Sequence, residues 1–260
     1  MKLTHFVPTP TQHNPPPQFI VSTVAFGLGV DIRVAAVINA SHPSSIDDEN
    51  QRAGRAGRQP GTRAKALKLI SPERSARQYG FVLSSPEDLQ SYNASLLASL
   101  DFEGCEQASL GLWPSELLDA HGAQMGSTCG TRCTQCRRGA VDRDQSGYVV
   151  DVHALAMTLV GTQGKREVGM VGAMLVRGEG PTFGKIRQAY EEQHGGEVGC
   201  VPTRHVPAAI LLVIAHGFLM PVAADPSQPK SLNVHFRPSD FFLLQYKYKE
   251  AKVEWWLPDI

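Results

Sequence analysis

Apolar runs alternate with one polar helix between residues 19 and 70, and this alternation limits the folds open to the chain. Three runs have the length and the apolar, β-leaning composition of buried strands: the first part of 19–31, 34–39 and 64–70. The acid-leaning run 45–49 predicts the start of a helix, with Ser44 or Ser45 as its cap. Strands connected by a loop and a helix in this order predict a parallel α/β layer.

The predicted helix continues into Gln51-Arg-Ala-Gly-Arg-Ala-Gly-Arg58, a segment whose charges suit a phosphate ligand. If the helix extends through this segment, Gln51, Arg55 and Arg58 lie roughly on one face, because residues three or four apart are helical neighbours. The glycines have no side chains, so a ligand or a facing lobe can approach the backbone closely at that face. Arginine supplies a fixed charge and a rigid fork of donors, which is the chemistry of an arginine finger. The alternative interpretation is a basic helix surface that is simply solvated.

Together with the upstream stretch Val24-Ala-Phe-Gly-Leu-Gly-Val-Asp31, this segment resembles motifs V and VI in the second RecA-like lobe of superfamily-two helicases. The residues of these two stretches are most similar to the corresponding motifs of the RecQ family. The resemblance implies that Arg58 is the arginine finger that reaches the γ-phosphate, and that Arg55 is its nucleotide-site or inter-lobe partner. It also implies that Gln51 helps to couple the nucleotide to the lobe interface.

The resemblance assigns roles to the loop before the second strand as well. Asp31 would approach the nucleotide ribose, in a cofactor-binding turn that contains Gly27 and Gly29. Ser22 and Thr23 would face the DNA backbone.

The phosphate-cradling motif G-x-x-x-x-G-K-[ST] does not occur in the 260 residues. Gly161-Thr-Gln-Gly-Lys165 has the wrong spacing, and Gly184-Lys185 is followed by Ile186, which has no hydroxyl for magnesium. Asp48-Glu49 imitates an acidic magnesium motif, but acids at a helix N-terminus are the better interpretation. We therefore expect the chain to lack the first motor lobe and the opening strands of the second. Alone it should not hydrolyse ATP, and ATP and Mg²⁺ would bind only in a complete motor.

A cysteine cluster follows the helicase-like region. Cys129-Gly-Thr-Arg-Cys133-Thr-Gln-Cys136 places three thiols within eight residues, and tetrahedral Zn²⁺ requires four such ligands. RecQ proteins carry a four-cysteine zinc module after the second lobe, with one cysteine on a helix, and the helical pattern of 85–100 precedes Cys105 here. The resemblance implies a zinc site with the ligands Cys105, Cys129, Cys133 and Cys136. His121 is the alternative to Cys105 as the fourth ligand. Cys200 lies apart and predicts a buried or free thiol.

Beyond the cysteines, three apolar runs predict helices over 149–160, 168–176 and 205–215. Strand-like 218–220 and 232–236 follow, separated by a polar turn, and this order resembles the RecQ C-terminal winged helix. In that fold the last helix docks in or beside a DNA groove, with basic residues at its start contacting phosphates. The predicted DNA contacts are Lys165, Arg166, Arg204 and His205, with Lys185 and Arg187 as further candidates. Ordinary surface charge is the alternative for each.

The sequence thus predicts an α/β chain with a partial RecA-like parallel lobe, a helical zinc-binding module and a winged-helix (α+β) domain. The predicted boundaries are a loose proline-rich N-terminus at 1–17, the lobe segment at 18–80, the zinc module at 81–140 and the winged helix at 148–250. The resemblance implies the C-terminal part of an ATP-dependent 3′–5′ DNA helicase of recombination and repair. A stand-alone zinc and winged-helix DNA-binding module, or a non-functional helicase gene fragment, are the alternatives.

The amino-acid composition limits which classes of partner and which cellular compartment are expected. The 25 basic and 25 acidic residues cancel, so any surface for nucleic acid must be local. The most apolar stretch, 206–215, is too short to span a bilayer, and no signal peptide is visible, so we expect an intracellular, nuclear protein without a membrane partner. The expected partners are single-stranded or junction duplex DNA and a separate N-terminal helicase lobe.

Overall fold

The computed structural model of the protein describes residues 21, 34–56, 64–100, 147–162, 167–195, 200–225, 227–228, 233–239 and 254–258. Its first elements are β1 (Ala36–Asn39), α1 (Ile46–Ala53) and β2 (Lys65–Lys68). β1 and β2 pair in parallel, with Ala36 opposite Lys65 and Asn39 opposite Lys68. Parallel strands on either side of a helix confirm the predicted α/β pattern for this part of the chain.

Two helices follow, α2 (Pro72–Val82) and α3 (Pro86–Leu100), and α3 confirms the helix predicted over 85–100. Ser71 caps α2 by accepting a hydrogen bond from the Arg74 amide at 3.4 Å, and Pro72 fits the first turn, which requires no amide donor. The two helices meet edge to face at Tyr79 and Tyr92, whose ring centroids are 4.8 Å apart.

The rest of the described chain is a set of short helices with three antiparallel strand pairs, β3–β8, β4–β5 and β6–β7. In chain order the elements are β3 (Gly147–Asp151), α4 (Val152–Val160), β4 (Gly161–Thr162), β5 (Glu167–Val168), α5 (Met170–Val176), α6 (Phe183–His194), α7 (Val206–Ala215), β6 (Leu219–Ala223), β7 (Val234–Pro238) and β8 (Glu254–Pro258). The helices predicted over 168–176 and 205–215 are confirmed as α5 and α7. The helix predicted from Val149 begins only at Val152, because the preceding residues pair with β8.

The centre of the core is α7, which packs against α2, α3, α4, α6 and β6. Val206 and residues 209–215 are all buried, because a helix that is apolar on every side gains most when no face meets water. One continuous hydrophobic cluster joins side chains of α2 and α3 to those of β3, β6, β7, β8 and the helices α4 to α7. Within the described residues, no helix has both the length and the apolar character needed to cross a membrane.

The β1–α1–β2 unit takes no part in that cluster: no described side chain of 34–69 is among the buried hydrophobic residues. Ile38 and Leu67 are opposite each other in the register, and Leu69 follows two residues beyond Leu67. These three side chains are 59%, 46% and 58% exposed, respectively. The two-stranded sheet therefore presents an open aliphatic face, which parallel sheets usually cover.

Candidate functional site

Helix α1 brings the arginine-rich segment to the end of the small parallel sheet. Ser45, one of the two caps that the sequence predicts, caps the helix, and its hydroxyl accepts from the Asp48 amide at 3.1 Å. Asp47, Asp48 and Glu49 occupy the first turn, where the positive end of the helix dipole favours acids. The prediction that these acids belong to a helix start is confirmed.

The predicted continuation of this helix through Arg55 is wrong. α1 ends at Ala53, Gly54 forms its C-cap, and Ala56 pairs with Val34 in a parallel bridge. Glycine is a weak helix former, and the bridge draws the chain into the sheet direction just where the helix would have continued. Gln51 is therefore an exposed helical residue, whereas Arg55 lies half-buried in the turn beyond the helix. Arg58 lies outside the described residues, as do the other helicase-motif candidates, Ser22, Thr23, Gly27, Gly29 and Asp31.

The side of α1 opposite Gln51 is held by a polar network. Glu49 is only 8% exposed, forms an ion pair with Lys68 of β2, and accepts from the Ser95 hydroxyl of α3 at 3.1 Å. Lys68 also donates to Ser99 Oγ at 2.6 Å, and the Ser99 hydroxyl donates to the Ser95 carbonyl oxygen at 2.8 Å. Because each member has a partner, the two charges can be buried without an unsatisfied group.

His42 lies beside this network, in the loop between β1 and α1. It is 1% exposed, and its ring meets Tyr92 of α3 edge to face with centroids 5.2 Å apart. Burial, together with the charges of Lys68 and Arg52, lowers the pKa of His42 from 6.5 to about 3. The imidazole is therefore neutral at neutral pH, and it packs as an aromatic ring rather than serving as a cation for phosphate.

Sequence reasoning did not identify His42 or Glu49. The available signal for Glu49 was its phase: residues two apart on a helix point about 200° apart, so an outward Gln51 places Glu49 inward. Nothing in the sequence indicated that α3 would supply the Ser95 hydroxyl that donates to this carboxylate. No comparable signal marks His42.

The predicted zinc ligands Cys105, Cys129, Cys133 and Cys136, and the reserve ligand His121, lie outside the described residues. Cys200 is described, half-buried and not in a disulfide. In the described part of the chain, no group of three His, Cys, Asp or Glu side chains is arranged to hold a metal ion.

The predicted DNA contacts of the C-terminal region divide into three groups. Lys165 and Arg166 lie outside the described residues, and Arg204 is exposed. His205 is 5% exposed, accepts from the Arg204 Nε at 3.2 Å and stacks on Tyr148 with centroids 6.0 Å apart. Its ring is therefore buried at the start of α7, and its contact with a DNA phosphate stays a prediction.

The helix predicted to dock in a DNA groove, α7, has no exposed polar face and forms the centre of the core. The helix before it, α6, does present one: Lys185 and Gln188 are exposed, while Phe183, Ile186 and Tyr190 are buried. Arg187 is less available, because its guanidinium donates to Glu73 at 2.6 Å and lies near Glu191 at 3.7 Å.

Comparison with known protein families gives a match for one part of the chain. Residues 11–60 match the helicase conserved C-terminal domain, and the match includes Gln51, Arg55 and Arg58. It covers less than a quarter of the 260-residue chain. Among curated proteins, no match to the chain was found. The matched region, which contains β1 and α1, is similar to a segment of a superfamily-two helicase C-terminal lobe.

Proposed function

We propose that the chain is the C-terminal part of a RecQ-like ATP-dependent DNA helicase that acts in the nucleus on recombination and repair intermediates. The observation that carries the proposal is the coincidence of the helicase match at 11–60 with α1 and the turn that follows it. Gln51 is exposed on that helix, and Arg55 follows directly in the turn. This arrangement leaves both side chains on the part of the lobe segment that a facing lobe could reach.

The arginines would act on a nucleotide bound by another lobe. Arg58 would place its guanidinium against the transferring γ-phosphate, where a fixed positive charge stabilises the transition state. Arg55 would support it at the nucleotide site or lobe interface, Gln51 would couple the nucleotide to that interface, and Asp31, with Gly27 and Gly29, would contact the ribose side. ATP and Mg²⁺ would bind only in a complete motor.

The nucleic-acid surface would combine the lobe with the C-terminal region. Ser22 and Thr23 would meet the DNA backbone from the lobe side. The helices α4–α7 and the β6–β7 hairpin support a winged-helix interpretation for the second contact, with α6 as the outward helix in place of α7. Lys165, Arg166, Arg204 and Lys185 would then contact phosphates, which position the protein on DNA without reading its sequence.

The test is DNA binding by the whole chain together with an ATPase assay. We expect binding to labelled single-stranded and 3′-tailed oligonucleotides, measured by fluorescence anisotropy, and no ATP turnover above background. The Lys165→Ala/Arg166→Ala variant should bind about tenfold more weakly near physiological salt and show a shallower salt dependence, because each lost phosphate contact removes counterion release. Arg77→Ala, an exposed position on α2, is the matched control. Absence of DNA binding, or ATP turnover by the pure chain that disappears in Arg58→Ala, would contradict the proposal.

We further propose a structural Zn²⁺ bound by Cys105, Cys129, Cys133 and Cys136. Metal analysis should give one Zn²⁺ per chain, and Cys133→Ser should abolish it, whereas Cys200→Ser should leave it unchanged. A strong chelator should lower the thermal unfolding midpoint, because a structural zinc contributes its binding free energy to folding. Metal-free protein with an unchanged midpoint would contradict this site.

The stand-alone DNA-binding module stays as a second candidate, because one continuous core joins α2 and α3 to the C-terminal helices without the β1–α1–β2 unit. In that case Arg58→Ala and Arg55→Ala would have no effect in any assay. The helicase proposal instead predicts that adding a separately expressed P-loop lobe produces DNA-dependent ATP hydrolysis that requires Arg58.

A further inference from the structure

Helix α1 is attached to the rest of the molecule in an unusual way. Of its described side chains, Glu49 is the only buried one, and the remaining described positions are exposed or half-buried. Surface helices normally dock through an apolar stripe. Among the described side chains of α1, the inward contact is made by the Glu49 carboxylate, through an ion pair and a network with two hydroxyl groups.

The contacts of Glu49 come from two different elements and fix its direction. Lys68 approaches one carboxylate oxygen from β2, and Ser95 donates to the other from α3 at 3.1 Å. Ser99 connects the two partners, since its hydroxyl accepts from Lys68 at 2.6 Å and donates to the Ser95 carbonyl at 2.8 Å. Hydrogen bonds and ion pairs are directional, whereas apolar contact is not, so this network specifies the rotation of α1 as well as its position.

That rotation decides where the functional side chains lie. Gln51 is two residues beyond Glu49 and therefore about 200° around the helix, on the solvent side. The helix then ends at Ala53, and the turn that carries Arg55 starts from its last residues. A rotation of α1 would move Gln51 sideways and would shift the start of the arginine turn.

We propose that Glu49, through Lys68 and Ser95, is the positioning residue that sets the orientation of Gln51 and the arginine turn, and that α3 thereby controls this segment. The inference rests on the proposed function, in which Gln51 and Arg55 face a nucleotide. Glu49 touches no substrate in this scheme. It determines the geometry of the residues that would.

The experiment compares stability with the local motion of α1, using amide hydrogen exchange by mass spectrometry on the whole chain. Glu49→Leu and Lys68→Met should each lower the unfolding midpoint, because each leaves a buried partner charge unpaired. The double variant Glu49→Leu/Lys68→Met should recover the midpoint, because an apolar pair can replace a buried ion pair without loss of stability.

If Glu49 has a positioning role, the double variant recovers the stability of the protein but not the fixed orientation of α1. In the double variant, amides of 46–56 should still exchange about tenfold faster than in the unmodified protein, while amides of α7 exchange at the original rate. Asp47→Asn is the control, because Asp47 is on the same turn of α1 and is exposed.

Two results would overturn the proposal. The first is a double variant in which 46–56 exchange at the original rate, since directional contacts would then be unnecessary. The second is equal acceleration of α1 and α7 in the single variants, since Glu49 would then contribute only to global stability. Failure of the proposed function is seen separately: DNA binding or arginine dependence would be absent while the local exchange difference persisted.

Discussion

The β1–α1–β2 unit and helix α7 are held in the molecule by opposite means. α7 is apolar throughout, all but two of its residues are buried, and it packs against five other elements. The described part of the β1–α1–β2 unit contributes nothing to the hydrophobic cluster. Its contacts with the rest of the protein include the Glu49–Lys68 network, the ring of His42 against Tyr92, and the Ala40 carbonyl, which accepts from Arg74 of α2 at 3.4 Å.

The difference separates stability from orientation. Burial of apolar side chains contributes most of the stability of a folded domain, but it tolerates small rotations. A buried ion pair contributes little net stability, yet it tolerates few alternative arrangements. The arginine-bearing helix is thus attached by contacts that define direction, and the core helix by contacts that supply free energy.

The largest expected effect is on the α7 side of the comparison. Leu212→Ala should reduce the free energy of unfolding by about 3 kcal/mol, because Leu212 is fully buried and its truncation leaves a cavity. Leu67→Ala, on the open face of β2, should cost less than about 0.5 kcal/mol. Urea unfolding monitored by circular dichroism measures both. Equal losses would show that the sheet face is covered in solution and would remove the contrast.

Acid should weaken both regions through one histidine each, the buried His42 and the half-buried His216. Burial lowers the pKa of His42 to about 3 and that of His216, at the end of α7, to about 4, whereas the unfolded value is 6.5. At these pH values the unfolded chain binds protons that the folded chain does not bind. The free energy of unfolding is therefore highest above pH 6.5 and falls as the pH decreases towards the pKa values of the folded state. Between pH 6.5 and 5, each histidine should account for about 2 kcal/mol.

Variants separate the two contributions. His42→Leu and His216→Leu should each remove about half of the loss between pH 6.5 and 5, as measured by urea unfolding at a series of pH values. A profile that is flat over this range in the unmodified protein would mean that neither ring is shielded from water.

The smallest effect is expected at the ion pair between α6 and α2. Arg187 and Glu73 are in contact at 2.6 Å, but their side chains are 38% and 40% exposed. A double-mutant cycle with Arg187→Ala and Glu73→Ala should give a coupling of about 0.5 kcal/mol, which disappears in about 1 M NaCl. If this coupling were as large as that of the Glu49–Lys68 pair, burial would not be what distinguishes the two ion pairs, and the contrast between them would be wrong.

Local sequence signals predicted many of the elements but not how they are arranged. The cap at Ser45, the helix over 85–100 and the apolar run that became α7 follow from capping chemistry and composition. Helix α6 was not predicted, although Thr182 caps it and Phe183, Ile186 and Tyr190 have helical spacing. The central position of α7 was not predicted, because a uniformly apolar helix carries no information about its neighbours.

The candidate site was predicted in part, for a similar reason. Gln51 lies on α1 as expected, but Arg55 does not, because Gly54 ends the helix and Ala56 bridges to Val34. The inward Glu49 depends on hydroxyl groups about fifty residues further along the chain, at Ser95 and Ser99. Pairings over such a separation cannot be deduced from local periodicity.

The open face formed by Ile38, Leu67 and Leu69 has a practical consequence for purification. The formal net charge is zero at pH 7 and the isoelectric point is near 7.1, so little electrostatic repulsion opposes self-association at neutral pH. A buffer at acid pH would restore electrostatic repulsion between molecules. It would also lower the stability of the fold, because His42 and His216 bind protons in the unfolded chain. Storage at about pH 8.5 gives the chain a net negative charge without that penalty, and is the condition in which we expect the protein to stay monodisperse at high concentration.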